Sequence, residues 1–120
     1  MSAIHHIELS VSDLARSCDF YKALLLGLGW KELRPGMYLK DGCEVYLNAA
    51  AAAESGAHHG PRHICFRAGS RDEVDRTGAL LKSREASIIR GPLAMPKYSP
   101  TYYTVDFRDP DGFVLEVAHD

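Results

Sequence analysis

The sequence predicts an α+β fold built from two tandem βαβββ modules, each with the order strand, helix and three strands. Hydrophobic residues alternate where strands are expected and recur at three- and four-residue steps where helices are expected, in the same order in both halves. Short motifs also recur in matching places, which indicates an internal repeat. His6 and His63 open strands, Ala23-Leu24-Leu25 and Ala79-Leu80-Leu81 lie in helices, and Asp41-Gly42 and Asp111-Gly112 form turns.

We expect one domain over residues 1–120, with module one at about 3–48, a linker at 49–61 and module two at about 62–118. A chain of 120 residues is long enough for one hydrophobic core but too short for two independent domains. In each module the apolar strand face must cover the helix, because that helix carries the only large apolar stripe available. Strands that curve toward each other would then form a mixed-sheet cup with the helices on its outer face.

Charge and composition exclude several classes of protein. The net charge of -2, without a basic run, argues against nucleic acid as the main partner. No apolar stretch approaches the roughly 20 residues that span a bilayer, and the N-terminus lacks the features of a signal peptide. Three cysteines at unrelated spacings predict neither a disulfide framework nor a zinc knuckle. We therefore expect a cytoplasmic protein that does not bind membranes.

The first module begins with an alternating strand at residues 3–11. Ser12 is the predicted N-cap of a helix whose apolar stripe runs from Leu14 to Leu28, and glycines end that helix. Turn residues then separate three predicted strands. These strands lie around Trp30 to Leu33, Met37 to Lys40 and Cys43 to Asn48.

Residues 49–61 have no periodicity and end in chain-breaking residues, so they predict a linker in which His58 and His59 are solvated. A strand at Arg62 to Ala68 opens the second module, and Ser70 with Glu73 predicts a capping box at the start of its helix. We expect the next strand to end before Gly91-Pro92 and residues 93–100 to be irregular. The predicted strands after the helix are Ala86 to Ile89, Tyr102 to Phe107 and Phe113 to Val117.

The last strand carries a carboxylate in an apolar setting. Asp109-Pro110-Asp111-Gly112 is a strong turn sequence, and the strand after it places Leu115 and Val117 on one face and Glu116 on the other. Burying a carboxylate is costly unless a cation or hydrogen-bond donors meet it. We expect Tyr103, Val105 and Phe107 to face the core. Alternation assigns these residues to the opposite, polar face: His6, Glu8, Ser10, Glu44, Tyr46, Asn48, His63, Cys65, Arg67, Tyr102, Thr104 and Glu116.

Two histidines and one carboxylate on such a face match a metal site with open positions for water or substrate. The histidines of this face are His6 and His63, and its glutamates are Glu8, Glu44 and Glu116; His5 is a rival to His6, but its position in the alternation matches the helix-facing side. The same polar residues could equally form an ordinary solvent-exposed sheet face.

Several motifs resemble the vicinal oxygen chelate superfamily, which includes glyoxalase I, extradiol dioxygenases and bleomycin-resistance proteins. They are His-Ile-x-Leu-x-Val-x-Asp-Leu with a later Phe-Tyr, a second His-Ile-x-Phe, and Phe-x-Asp-Pro-Asp-Gly-x-x-Leu-Glu. The resemblance implies a divalent metal ion (Fe, Mn, Ni or Zn) held by His6, His63 and Glu116, and a homodimer. Tyr46 stands where glyoxalase I has a glutamate ligand, which weakens an assignment to that particular enzyme.

The resemblance favours a metal-dependent lyase, isomerase, dioxygenase or transferase that chelates a small oxygenated substrate. Glu116 and Glu8 would be the catalytic carboxylates, with Glu8 as general base, and Arg67 would bind an anionic group. Tyr102 and Thr104 would line the substrate pocket. Tyr46 could contact the substrate as a hydrogen-bond donor, act as a distal metal ligand, or form the packing floor of the cup.

Three alternatives stay open. Glu8 and Arg67 could form a mutual ion pair that only fills space. The chain could be a metal-free binding protein of the bleomycin-resistance kind, or an interaction domain with vestigial ligands. A phosphonate pocket of the fosfomycin-resistance type is not expected, because only Arg67 and Lys97 would supply positive charge.

Overall fold

The computed structural model describes residues 2–50 and 63–120, which fall into two compact units, one in each range. Most of the predicted linker, with His58 and His59, lies outside the described residues. None of the described residues belongs to a helix long and apolar enough to cross a membrane.

The first unit contains five elements and one sheet. The sheet has the order β1-β4-β3-β2; β1 and β4 are parallel, and the other neighbours are antiparallel. The elements are β1 (His6–Val11), α1 (Leu14–Gly27), β2 (Lys31–Arg34), β3 (Met37–Lys40) and β4 (Cys43–Ala49).

The second unit repeats this topology, with sheet order β5-β8-β7-β6 and a parallel β5–β8 pair. Two four-stranded mixed sheets, each with its helix, confirm the predicted α+β fold of two βαβββ modules. The elements are β5 (Ile64–Arg67), α2 (Arg71–Ser83), β6 (Ile88–Ala94), β7 (Tyr103–Arg108) and β8 (Val114–His119).

The two helix starts follow the predicted capping chemistry, with one correction. Ser70 caps α2 as predicted: its hydroxyl accepts from the Glu73 amide at 3.2 Å. For α1 the prediction of Ser12 was wrong by one position. Asp13 has the extended backbone of an N-cap, and its carboxylate accepts from the Arg16 amide at 3.0 Å.

The apolar strand faces form the core, as the alternation predicts. Tyr103 lies at the margin of the helix-facing side, where its hydroxyl donates to Asp75 of α2 at 2.7 Å. Among the fully buried side chains are Tyr21, Leu24, Leu25, Tyr38 and Val45 in the first unit, and Val74, Leu81, Val105, Phe107, Leu115 and Val117 in the second.

Strand β6 differs most from the sequence prediction, because it continues through Gly91 and Pro92 instead of ending before them. An edge strand tolerates proline, since one side of it needs no ladder hydrogen bond. Gly78 of α2 makes room for the proline ring: a Cβ at that position would lie 2.6 Å from Pro92 Cγ. Gly91 has a φ of +87°, a conformation that glycine adopts without strain. The longer strand brings Arg90 into register with Asp106 of β7.

Candidate metal site on the second sheet

A row of four polar residues crosses the second sheet on the face opposite the core. Directly paired residues on neighbouring strands share a face, so the strand register defines the row. We call these four residues the polar row: Arg90 on β6, Asp106 on β7, Glu116 on β8 and Cys65 on β5.

Glu116 is the buried centre of this row, with a relative exposure of 6%. Its Oε2 accepts hydrogen bonds from the Tyr102 hydroxyl at 2.8 Å and from the Thr104 hydroxyl at 2.7 Å. Its Oε1 lies 3.2 Å from Nε2 of His63. The structure therefore brings four of the predicted site residues together, and their contacts offset the cost of burying the carboxylate.

Tyr102 stays a hydrogen-bond donor at physiological pH. Burial, followed by the hydrogen bond to Glu116, raises the pKa of the Tyr102 hydroxyl. Its ring packs edge-on against Tyr98, with ring centroids 5.4 Å apart. The phenol therefore fixes one oxygen of Glu116 and leaves the other turned to His63.

Cys65 is directly paired with Glu116 in the β5–β8 register. The residue as a whole is exposed, but burial of its thiol, followed by the negative charge of Glu116, raises the pKa of Cys65 to about 12. The thiolate is the nucleophilic form of cysteine. At neutral pH Cys65 is thus a neutral neighbour of the carboxylate rather than a nucleophile.

Arg90 and Asp106 form the other half of the polar row, and sequence reasoning missed both. Arg90 Nε donates to Asp106 Oδ2, and the Arg90 side chain also hydrogen-bonds the Tyr98 hydroxyl. These bonds, with that to Tyr98 first, raise the pKa of Arg90. The alternation of Tyr102, Thr104 and Asp106 could have revealed the aspartate. Alternation could not reveal Arg90, because its strand was expected to end at Ile89.

The predicted site residues of the first unit lie on a more open surface. His6 and Glu8 are exposed on β1, and Glu8 accepts a hydrogen bond from the Asn48 side-chain amide. The rings of His6 and Tyr46 have centroids 5.4 Å apart. Glu8 therefore has a hydrogen-bond partner within its own unit.

His5 and Arg67 complete the predicted set. The prediction that His5 belongs with the helix-facing side was wrong: His5 precedes β1, is exposed, and its Nδ1 lies 2.9 Å from Nδ1 of His6. Arg67 is exposed at the end of β5, paired in register with Ala118.

The donor set at Glu116 fits a divalent metal ion. An imidazole nitrogen and a carboxylate oxygen lie side by side, and both are common ligands of zinc, iron, manganese and nickel. The second carboxylate oxygen is held by two hydroxyl donors, an arrangement of outer partners that orients metal ligands. Within residues 2–50 and 63–120, no three histidine, cysteine, aspartate or glutamate side chains are grouped closely enough to hold an ion together.

Comparison with known proteins identifies the family. Residues 3–117 match the model of the Glyoxalase/Bleomycin resistance protein/Dioxygenase superfamily, so the chain belongs to it. The uncharacterized protein YqjT of Bacillus subtilis (strain 168) is 31% identical over 96% of this chain and 97% of its own length. The predicted resemblance to the vicinal oxygen chelate superfamily is thereby confirmed.

Solved structures are similar over the whole chain. A Bacillus halodurans protein assigned provisionally as a glyoxalase is 26% identical, with a TM-score of 0.84 over 100% of this chain and 97% of that one. A glyoxalase/bleomycin resistance protein from Albidiferax ferrireducens T118 is 24% identical, with a TM-score of 0.80 over 99% and 100% of the two chains. The second likeness supports the fold alone.

Proposed function

We propose that this protein is a divalent-metal-dependent enzyme that acts on a small oxygenated molecule. His63 and Glu116 would hold the ion, which would be iron, manganese, nickel or zinc. The arrangement of Glu116 carries the proposal: a buried carboxylate with one oxygen fixed by hydroxyl donors and the other 3.2 Å from an imidazole nitrogen. His6, the third ligand implied by the family resemblance, is carried by the first unit and stays a prediction from the sequence.

The ion, when bound, would supply Lewis acidity that polarises a substrate oxygen. The protein's part is to hold the ligands in place. Tyr102 and Thr104 donate hydrogen bonds to Glu116 and keep it in one orientation. Lyase, isomerase, dioxygenase and transferase reactions that develop charge on a substrate oxygen all suit such a site.

We propose supporting roles for further residues. Glu8 would act as a general base, because it lies two residues from His6 on the same face of β1. Arg67, exposed on β5, would bind an anionic group of the substrate, and Tyr46 would contact the substrate beside His6. A homodimer, on the family resemblance, and a cytoplasmic location, which stays an expectation from the sequence, complete the proposal.

A second candidate is a metal-free protein that sequesters a small ligand. Tyr98 favours it, because the residue is 55% exposed and Lys97 Nζ lies 5.3 Å from the centroid of its ring. An exposed aromatic side chain of this kind can stack on a planar ligand. Metal analysis distinguishes the two candidates.

The test is calorimetric titration of the untagged, EDTA-treated and dialysed protein with Mn²⁺, Ni²⁺ and Zn²⁺. We expect one ion per chain for at least one metal, and a His63→Ala variant should lose more than about tenfold in affinity. His119→Ala is the matched control. His119 lies on β8 with the opposite side-chain direction from Glu116, so this variant should bind within about twofold of the wild type. Absence of stoichiometric binding, or equal binding by His63→Ala, would contradict the proposal and favour the metal-free candidate.

A further inference from the structure

Asp106 places a second carboxylate beside the proposed metal ligand. Asp106 and Glu116 are directly paired between β7 and β8, so their side chains leave the same face of the sheet. Cβ atoms of such pairs are about 4.5–5.5 Å apart, and like charges placed directly opposite are destabilising. The Asp106 side chain is only 14% exposed, so water screens this repulsion incompletely. A neighbouring positive charge is needed to offset it.

Arg90 supplies that charge from the far side of Asp106. Strand β6 follows β7 at the sheet edge, whereas β8 lies on the opposite side of β7. Arg90 Nε donates to Asp106, the Arg90 side chain also hydrogen-bonds Tyr98, and its Nη1 lies 3.8 Å from the Met95 sulfur. The guanidinium is therefore held on the side of Asp106 that faces away from Glu116.

We infer that Arg90 is a positioning residue that sets the cation affinity of the His63–Glu116 site by pairing with Asp106. With the pair formed, the site presents the charge of one carboxylate. With Arg90 neutralised, Asp106 becomes a second negative charge beside the ion. This inference rests on the proposed metal site and assigns the affinity of that site to two residues outside its ligand set.

Replacing Arg90 and replacing Asp106 should change the Mn²⁺ affinity in opposite directions. A purely structural role of the pair does not predict this. Mn²⁺ affinity is measured by calorimetry at low ionic strength for the wild type, Arg90→Gln, Asp106→Asn and the double variant. Arg90→Gln should bind Mn²⁺ roughly fivefold more tightly and Asp106→Asn roughly fivefold more weakly, because charge near the ion changes in opposite directions. The double variant should return to within about twofold of the wild type.

Two further variants control for charge and folding. Arg76→Gln removes the same charge from an exposed position on α2, the helix that packs on the other face of the sheet, and should leave Mn²⁺ affinity within about twofold. Arg90→Lys keeps the charge and should stay near wild type. Circular dichroism checks that each variant is folded, and Asp106→Asn tests the inference even if Arg90→Gln misfolds.

The outcomes separate this inference from the proposed function. Suppose that the wild type binds Mn²⁺ in a way that depends on His63. If Arg90→Gln and Asp106→Asn then both weaken Mn²⁺ binding, or neither changes it, the inference is overturned and the metal site stands. If the wild type shows no binding that depends on His63, both are overturned.

Discussion

The two units share a topology and a register, so their polar faces can be compared position by position. In the second unit, the central strands β7 and β8 carry the acids Asp106 and Glu116. In the first unit, the only acid of the equivalent row lies on the edge strand β1. The row Arg90, Asp106, Glu116 and Cys65 corresponds to Arg34, Met37, Tyr46 and Glu8.

Strand position explains why Glu116 has more contacts than Glu8. Glu8, on an edge strand, is exposed and accepts a bond from Asn48. Glu116, on a central strand, has neighbours on both sides and contacts Tyr102, Thr104 and His63. The same backbone thus produces an exposed carboxylate in one unit and a buried, hydrogen-bonded carboxylate in the other.

The arginines at the ends of the two rows show the same contrast. Arg34 Nε donates to the Met37 sulfur at 3.4 Å, a neutral partner, whereas Arg90 donates to a carboxylate. Both units therefore have an arginine at this end of the row, but only the arginine of the second unit pairs with an acidic residue of the row. A change of one residue type on the central strand converts a packing contact into an electrostatic one.

The largest expected difference concerns the glycines of the two helices. Gly78→Ala should destabilise the protein by about 2 kcal/mol, because the new Cβ would lie 2.6 Å from a rigid proline ring. Gly27→Ala should stabilise it by about 0.5 kcal/mol, since nothing lies within 4 Å of that position and alanine favours helix. Urea denaturation measures both. Equal effects would show that α2 does not depend on close contact with β6.

A smaller difference is expected between two donors to carboxylates. Thr104→Val removes a hydroxyl donor to buried Glu116 and should cost about 2 kcal/mol of unfolding free energy. Asn48→Ala removes the amide donor to exposed Glu8 and should cost less than about 0.5 kcal/mol. Urea denaturation at neutral pH compares them. Losses of similar size would show that Glu116 and Glu8 depend equally on their hydrogen-bond donors.

A further effect concerns Cys65 and is confined to alkaline pH. Because the folded state raises its pKa from 9.0 to about 12, the protonated thiol stabilises the fold. This contribution is complete below pH 9 and is lost as the pH rises toward 12. The thermal midpoint of the wild type should therefore fall more steeply above pH 9 than that of Cys65→Ser.

Alkylation gives an independent measure of the same thiol. In EDTA at pH about 8, iodoacetamide should modify Cys65 at least about tenfold more slowly in the folded chain than in the urea-unfolded chain. Glu116→Gln should speed the reaction in the folded chain, because it removes a negative charge beside the sulfur. Equal rates for folded and unfolded chains would contradict the raised pKa.

Much of the site could be read from alternation and repetition. The strand pattern around Glu116 predicts its face, the repeated histidines predict His63, and both lie together in the second unit. Tyr102 and Thr104 were also predicted to face this side. Arg90 could not be predicted, because Gly91-Pro92 is an ordinary strand-breaking signal and the close approach of the Pro92 ring to Gly78 of α2 is a tertiary contact.

The sequence by itself determined the βαβββ repeat, the apolar faces and the residue types of the site, because hydrophobic periodicity and turn chemistry act between neighbours along the chain. Only the tertiary structure decided which oxygen of Glu116 meets His63, that Cys65 stays protonated, and that Arg90 pairs with Asp106. These features depend on strand order, burial and side-chain direction, which arise when residues distant in sequence pack against each other.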